Sequence, residues 1–460
     1  MKHSINSKAI NSDAVKLIKL FNQENKEAYL VGGCVRDLIW GLKPHDFDIC
    51  TNAKADETLE ILKKNNIKFH TLGIKFGTVV AMLGGQEYEI TTYRKESDYS
   101  DGRHPNIVEY TPELTEDLSR RDFTMNAIAY NPVTKELKDP FNGLKDMQES
   151  RLRAVGNPNE RFKEDALRIL RALRFAIKYN LDIEDSTFKA MISNKNGLDT
   201  ISKERITSEL EKMLTCGKPI SKWFIQGHEI IFQIIPELRP CYKFKQCSKW
   251  HKHDVYEHLL AVTDGCDSAD FVIKLTGLLH DIGKPNKFSL DADGNGHFYG
   301  HPEESYSICA DMLSKRLKLS TLQREQVLTL VREHDCEIAL NTRVIKRMLS
   351  RIGSENFDKL LIVKKSDRAD HVFLKGSKYD LDFEAIKQLK DEVIASEQCF
   401  KITDLAINGK DIMNVLKIKP SKEIGLILHA LLNEVLDEKI ENNHDILIAR
   451  AIELNDKHFN

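Results

Sequence analysis

With 460 residues, 41% of them hydrophobic, the chain has enough apolar material for two to four ordinary cores. No apolar run reaches membrane-spanning length, and Met1-Lys-His-Ser-Ile-Asn6 lacks the apolar segment of a signal peptide, so no membrane partner and a cytoplasmic location are expected. Nine scattered cysteines without a Cys-x-x-Cys pair argue against a disulfide framework or a zinc ribbon, and a net charge of −2 leaves any nucleic-acid surface to local patches.

Residues from about 27 to 150 mix strand and turn signals, as in an α/β or α+β domain. Tyr29-Leu-Val31 reads as a short buried strand, broken by Gly32 and Gly33 and followed by a helix from Val35 to Trp40. Paired glycines let backbone N–H groups approach an anion closely, and a helix N-terminus favours negative charge. After a turn at Gly41-Leu-Lys-Pro44, Asp46-Phe-Asp-Ile-Cys50 predicts a second strand. Strand side chains alternate faces, so Asp46 and Asp48 point the same way and Phe47 packs behind them. Two carboxylates beside a phosphate cradle make a hard-oxygen site suited to Mg²⁺ with a triphosphate. An isolated Asp-x-Asp is ordinarily a solvated pair; its nearness to the strand–Gly-Gly–helix unit favours the site.

Further strands are predicted at Lys75-Phe-Gly-Thr-Val-Val-Ala-Met82 and Tyr88-Glu-Ile-Thr-Thr-Tyr93. Glu89 supplies a third carboxylate if its strand lies beside Asp46 and Asp48, and is otherwise a surface residue. The turn formers of Ser97-Asp-Tyr-Ser-Asp-Gly-Arg-His-Pro-Asn106 predict a loop. In Glu116-Asp117-Leu-Ser-Arg120-Arg121-Asp122-Phe-Thr-Met-Asn126, the adjacent guanidinium forks suit triphosphate oxygens, with the flanking carboxylates holding them or a ribose hydroxyl. The bland account is a helix start capped by Asp117 or Ser119.

From Glu160 the period becomes helical, with Phe162, Ala166, Leu167, Leu170, Leu173 and Ile177 at three- and four-residue steps. Within it lies Glu164-Asp165-Ala-Leu-Arg168-Ile-Leu-Arg171-Ala-Leu-Arg174. On one helix Asp165 and Arg168 share a face, as an ion pair of a few tenths of a kcal/mol or as something sharper. Cytosine and adenine present an amino donor beside an unprotonated ring nitrogen; uracil and guanine present a carbonyl beside a ring N–H. A carboxylate facing the amino group and a guanidinium facing the ring nitrogen admit C and A and reject U and G.

Downstream come His251-Lys-His-Asp-Val-Tyr-Glu-His258 and Leu278-Leu-His280-Asp281-Ile-Gly-Lys284-Pro. Imidazoles and a carboxylate from successive helices can bind a transition metal or Mg²⁺ and activate water for phosphoester cleavage. Singly, each histidine reads as packed or exposed; the adjacent His-Asp pair before Ile-Gly-Lys tips the balance. A Gly/Asp/Asn-rich break falls at Asp291-Ala-Asp-Gly-Asn-Gly296. The basic, aromatic stretch Arg239-Pro-Cys-Tyr-Lys-Phe-Lys-Gln-Cys-Ser-Lys-Trp-His-Lys252 reads equally as an RNA contact or as a hinge under a lysine rim.

Together these motifs resemble the class II tRNA nucleotidyltransferases, the CCA-adding enzymes of the polymerase-beta superfamily. The likeness runs through Gly32-Gly33-x-Val35-Arg36-Asp37, Asp46-x-Asp48, Arg120-Arg121-Asp122 and Glu164-Asp165-x-x-Arg168, and Lys203-Glu-Arg-Ile-Thr-Ser-Glu-Leu-Glu-Lys-Met-Leu214 resembles the family's fifth motif. Asp101-Gly-Arg103-His-Pro105 resembles the element associated with adding the final A, and the run from Ile402 to Leu436 resembles the tail helices. The resemblance implies an α+β fold: a polymerase-beta-like nucleotidyltransferase head at 1–150, a helical neck at 151–245, an HD domain at 246–375 and a tRNA-binding tail at 376–460. It implies catalytic Asp46, Asp48 and Arg121, with Asp46 and Asp48 holding Mg²⁺; Glu89 joins them as a metal ligand if its strand lies beside theirs. Nucleotide binding falls to Gly32, Gly33, Arg36, Asp117, Arg120, Arg121, Asp122, Asn126, Asp165, Arg168 and Arg171. The later histidines resemble the HD phosphohydrolase domain, which implies a second divalent metal on His258, His280, Asp281 and Asp367. Asp370 competes with Asp367 there, and His301 and His334 complete a second position. The implied activity is addition of CCA to tRNA 3′ ends from CTP and ATP, releasing pyrophosphate. The alternatives are a poly(A) polymerase, an enzyme adding only A, and an HD phosphohydrolase whose head merely binds nucleotide or RNA. Oligomeric state stays open.

Overall fold

A computed structural model describes residues 5–71, 73–97, 107–248, 251–371, 382–396 and 400–458. The expectation for Asp101 to Pro105, and Lys249 and Trp250 of the basic stretch, lie outside the described residues. The chain forms two compact units, Met1–Pro236 with Arg316–Lys318 and Glu237–Lys315 with Leu319–Asn460.

The first unit is built on β1 (Ala28–Val31), β2 (Ile49–Thr51), β3 (Lys68–His70), β4 (Thr78–Leu83) and β5 (Gln86–Thr92), followed by a separate ribbon of β6 (Arg94–Ser97) and β7 (Ile107–Tyr110), then β8 (Ala129–Asn131) and β9 (Glu136–Lys138). The main sheet has the order β3-β4-β5-β2-β1-β8-β9. Only β2 and β5 pair in parallel within it, with Ile49 opposite Ile90. β1 and β2 are buried on both faces, which their unbroken apolar runs require. β5 alternates, burying Tyr88, Ile90 and Thr92 and exposing Glu87 and Glu89. Against the sheet pack α1 (Ser12–Gln23), α2 (Gly33–Ile39) and α3 (Ala55–Lys64). The predicted strand from Lys75 starts later, because Ile74–Phe76 form a 3₁₀ turn closed by Gly77 at φ 73°.

After α4 (Leu114–Ser119) and α5 (Gly143–Gln148), the helical period from Glu160 resolves into two helices, α6 (Pro158–Glu164) and α7 (Leu167–Tyr179). Asp165 between them is extended, at φ −145° and ψ 102°. α7 buries Ile169, Leu170, Leu173 and Ile177 and packs on α9 (Lys203–Leu214), with α8 (Asp185–Asn194), α10 (Ser221–Gln226) and α11 (His228–Ile234) completing the unit.

The described part of the second unit is helical apart from the short hairpin of Ser289–Leu290 and Gly296–His297. Its elements are α12 (Val255–Gly265), α13 (Phe271–Leu279), α14 (His301–Lys315), α15 (Thr321–Glu333), α16 (Thr342–Asp370) and α17 (Phe383–Ser396), then α18 (Gly409–Leu416), α19 (Lys422–Leu436) and α20 (His444–His458). α12 opens with a reciprocal cap between Asp254 and Glu257, and α16 breaks at Gly353, φ 78°. Ile412, Ile427, Leu431, Leu447 and Ala451 form a separate apolar cluster over the last three helices. No described helix is long and apolar enough to cross a membrane.

Candidate active sites

β1 ends where Gly32 turns the chain, at φ 76° and ψ −131°, a conformation that glycine alone adopts readily. A Cβ there would stand 2.9 Å from Arg121 Nη1 and 3.9 Å from Asp48 Oδ2, so the missing side chain is what lets the guanidinium and the carboxylate approach this turn. Because β1 stops at Val31, residues 46–48 have no partner strand beyond the bond from Val31 N to the Asp48 carbonyl, 3.1 Å. Asp46 and Asp48 therefore sit in the segment leading into β2, which begins at Ile49 and not at Asp46 as predicted, with Phe47 buried between them. Glu89 precedes Ile90, and the β2–β5 register sets it beside Asp48.

Burial first, then the charges of Asp46 and Glu89, raise the Asp48 carboxyl to about 6 against the pull of Arg121. Three carboxylates with one partly opposing guanidinium leave a local excess of negative charge, the donor set and charge that suit a divalent ion. The three are coupled by charge without closing into one tight group: among the described residues, sets of ligand atoms all within 4.8 Å of one another lie in the second unit.

Asp117 is fully buried within α4, whose N-cap is Glu113, so it caps no helix start, and its Oδ1 accepts from Arg120 Nε and Nη2 at 3.0 and 2.9 Å. Its Oδ2 lies 3.6 Å from Arg121 Nη2, and both this Oδ2 and Arg121 Nε are buried without a hydrogen-bond partner. Arg121 is thus held loosely, with donor capacity left over. Arg36, Asn126, Asp122 and Arg171 instead bond one another. Arg36 Nη1 donates to Asn126 Oδ1 at 2.8 Å, Asn126 Nδ2 to Asp122 Oδ1 at 2.9 Å, and Arg171 Nε to Asp122 Oδ2 at 2.9 Å. Burial opposes the charge on Asp122, yet Arg171 and Asn126 outweigh it and hold the carboxyl well below its ordinary range. The Phe175 ring underlies this chain, with the guanidinium carbons of Arg36, Arg171 and Arg174 at 5.3, 5.4 and 4.2 Å from its centroid.

Asp165 and Arg168 do not share a helix face and form no ion pair with each other. Asp165, in the break, accepts from Leu167 N at 3.0 Å and from Arg205 Nη2 at 2.9 Å. Arg168 donates to Glu164 Oε2 at 2.7 Å and to the Arg120 carbonyl at 3.1 Å. The break exists because the extended Asp165 caps the amide that would otherwise continue α6, a local competition that periodicity does not reveal. Arg205 and Glu164 were the partners that sequence reading did not assign. Both lie inside quoted motifs, and their charge signs were the available signal.

In the second unit α12, α13, α14, α15 and α16 bring His258, His280, Asp281, His301, His334 and Asp367 together. Asp281 divides them: Oδ2 lies 3.2 and 3.3 Å from Nε2 of His258 and His280, while Oδ1 lies 3.1 and 3.2 Å from Nε2 of His301 and His334. Asp367 Oδ1 is 3.2 Å from His258 Nε2. Asp370 reaches the opposite ring nitrogen, Nδ1, at 2.9 Å. The competition between these two aspartates thus resolves by ring face, Asp367 on the shared side and Asp370 behind. His280, His301 and His334 each donate Nδ1–H to a backbone carbonyl, of Gly277, Phe298 and Val331, which turns every Nε2 lone pair inwards, as metal-ligating histidines require. His251 and His371 also approach His258. Burial opposes charge on Asp281, but Lys284, whose ammonium lies 2.6 Å from Oδ2, and His280 hold the carboxyl well below its usual range. Burial lowers the His258 imidazole, but Asp281, Asp367 and Asp370 together push it up to about 10. The donors fit a divalent transition metal.

A mixed sheet carrying Asp-x-Asp beside a Gly-Gly turn, followed by a helical body, defines a nucleotidyltransferase of the polymerase-beta class. Comparison with known proteins agrees: the family "Poly A polymerase head domain" matches residues 28–153, the family "Probable RNA and SrmB- binding site of polymerase A" matches 180–225, and the family "tRNA nucleotidyltransferase domain 2 putative" matches 308–451. The CCA-adding enzyme of Enterococcus faecalis is 31% identical over 95% of each chain, and that of Streptococcus thermophilus 29% over 95% of each. The crystal structure of the Bacillus stearothermophilus CCA-adding enzyme in complex with CTP superposes with a TM-score of 0.68 at 25% identity, covering 96% of this chain and 97% of that one. The chain belongs to the family of CCA-adding enzymes.

Proposed function

We propose that this chain adds C, C and A to the 3′ ends of tRNA from CTP and ATP, without a nucleic-acid template and with release of pyrophosphate. The carrying observation is the grouping of Asp46, Asp48 and Glu89 around the Gly32 turn, with Arg121 held loosely opposite them. Mg²⁺ held by Asp46 and Asp48, with Glu89 beside them, would supply Lewis-acid stabilisation of the reacting phosphate oxygens. The 3′ hydroxyl attacks the α-phosphorus, the bond to the β-phosphate oxygen breaks, and pyrophosphate leaves in line. Arg121 and Arg120 face the triphosphate charge, and a guanidinium placed before reaction needs no reorganisation as that charge shifts. Arg36, Asn126, Asp122 and Arg171 position the turn and α7 from behind.

Asp165 and Arg168 read the incoming base: each is fixed by neighbours, Arg205 and Glu164, while retaining an unshared oxygen lone pair or N–H. Transcripts ending before CCA, after C and after CC, incubated with Mg²⁺ and CTP, ATP or both, test the reading. Addition of C, C and A followed by arrest is the expected result; A alone on the CC end would make it an A-adding enzyme, and long A tails a poly(A) polymerase.

The histidine centre favours a second reading, metal-dependent hydrolysis of a phosphoester. Its support is the division of Asp281 between two sets of inward imidazoles, which suits two ions sharing one carboxylate. Phosphate release from simple phosphomonoesters with Mn²⁺, lost on His280→Ala, tests it.

A further inference from the structure

α4 ends at Ser119, and carbonyls at a helix end have no partner within the helix. Two guanidiniums from either side of the α6–α7 break take them up. Arg161 Nη1 donates to the Ser119 carbonyl at 3.1 Å, and Arg168 Nη2 donates to the Arg120 carbonyl at 3.1 Å. Glu164 stands between the two, accepting from Arg161 Nη2 on Oε1 and from Arg168 Nη1 on Oε2. The Arg161 carbonyl closes the group by accepting from Arg168 Nη1 at 3.2 Å. The side chains of Arg161, Glu164 and Arg168 are only 16%, 18% and 11% exposed, so these charge-assisted bonds are little screened by water.

Arg120 is thereby gripped at both ends, its carbonyl by Arg168 and its guanidinium by Asp117. The next residue, Arg121, carries the guanidinium that lies against the Gly32 turn. Arg168 uses both hydrogens of Nη1 and one of Nη2 in these bonds, which leaves its Nε–H and one Nη2–H for a base. A ring nitrogen of cytosine or adenine accepts from it and leaves the bond to the Arg120 carbonyl in place. The ring N–H of uracil or guanine meets it donor to donor and pushes it away. In a stiff frame that displacement passes to the end of α4; in a loose one Arg168 absorbs it locally. We propose that Arg161 and Glu164 are positioning residues that make the frame stiff, so that a base which displaces Arg168 also displaces Arg120 and Arg121 from the triphosphate. The inference rests on the proposed reading of the base by Asp165 and Arg168. A misplacement of about 1 Å can cost on the order of 10²-fold in rate, so rejection of a wrong base falls on kcat as well as on binding.

The test is single-nucleotide addition to a transcript ending before CCA, by the full chain with Mg²⁺ and either CTP or UTP, read as kcat and KM for each. Arg161→Gln is expected to lower the CTP-to-UTP ratio of kcat about tenfold while changing the ratio of KM less than twofold. Arg161→Lys, which keeps a donor for the Ser119 carbonyl, should recover part of the kcat ratio. Glu164→Gln should act in the same direction, and the double variant should do no more than either alone, since both remove one link. A merely structural role would slow both nucleotides alike and leave the ratio where it was. Unfolding curves accompany each variant, and Glu164→Gln carries the test if Arg161→Gln does not fold. An unchanged kcat ratio in the folded variants, with Asp165→Ala relaxing it, would overturn the coupling alone. An unchanged ratio in Asp165→Ala would overturn base reading and the coupling with it.

Discussion

Burial and two neighbouring carboxylates press on the Asp48 charge, and Arg121 relieves it. Replacing Asp46 and Asp48 together by Ala should therefore leave thermal unfolding unchanged or raise its midpoint while lowering CTP incorporation by at least on the order of 10³-fold. Transfer retained in that variant would remove the metal-binding role from both residues. Asp165 makes a different kind of demand. Its Ala variant should admit UTP or GTP roughly 10- to 100-fold more readily relative to CTP and ATP, the range of a lost two-point base contact. Competition assays read this ratio directly, and an unchanged ratio would count against base reading by the protein. Asp122 gives the pH dependence. Its folded carboxyl lies below the unfolded value, so the stability it contributes is complete above about pH 4 and is lost as pH falls through the folded value. Asp122→Asn should cost about 1–2 kcal/mol at pH 7, less than a fully buried pair because the Arg171 side chain is 35% exposed. Melting curves should show that deficit shrinking below pH 4.

At the scale of elements, the turn joining β1 to α2 does two things with one residue. Its left-handed backbone ends the strand, and its bare Cα admits Arg121 and Asp48. Gly32→Ala should cost about 1–3 kcal/mol in strain. It should also lower incorporation by at least tenfold, since a Cβ 2.9 Å from Arg121 Nη1 displaces the guanidinium. Folding stability and kcat, measured on the same preparation, separate the two effects. The break between α6 and α7 works similarly: because Asp165 is extended, its side chain is free to meet Arg205 on α9 while Arg168 begins a new helix.

Over the whole molecule, the two candidate centres lie in different compact units and share no residue. Asp46→Ala should therefore abolish nucleotide addition and leave Mn²⁺-dependent phosphate release intact, and His280→Ala should do the reverse. Loss of both activities in either variant, with unchanged unfolding curves, would mean that the chemistries are coupled.

Much of this was legible in the residues. Gly32-Gly33, Asp46-x-Asp48, the paired arginines and His280-Asp281 owe their chemistry to local spacing, and local spacing is written in the chain. The helical body was legible too, from three- and four-residue apolar steps. What the sequence could not specify were the partners. Asp165 looked like a helical neighbour of Arg168, yet it meets Arg205, forty positions on. Asp367 was the better match and Asp370 its competitor, and only the packing of α12 and α16 put them on opposite nitrogens of His258. The sequence by itself determined which charges and rings the protein has and the family to which they point. Tertiary structure alone decided which of them meet, because a side chain's partner depends on how separate elements pack, and packing is a property of all their buried faces together.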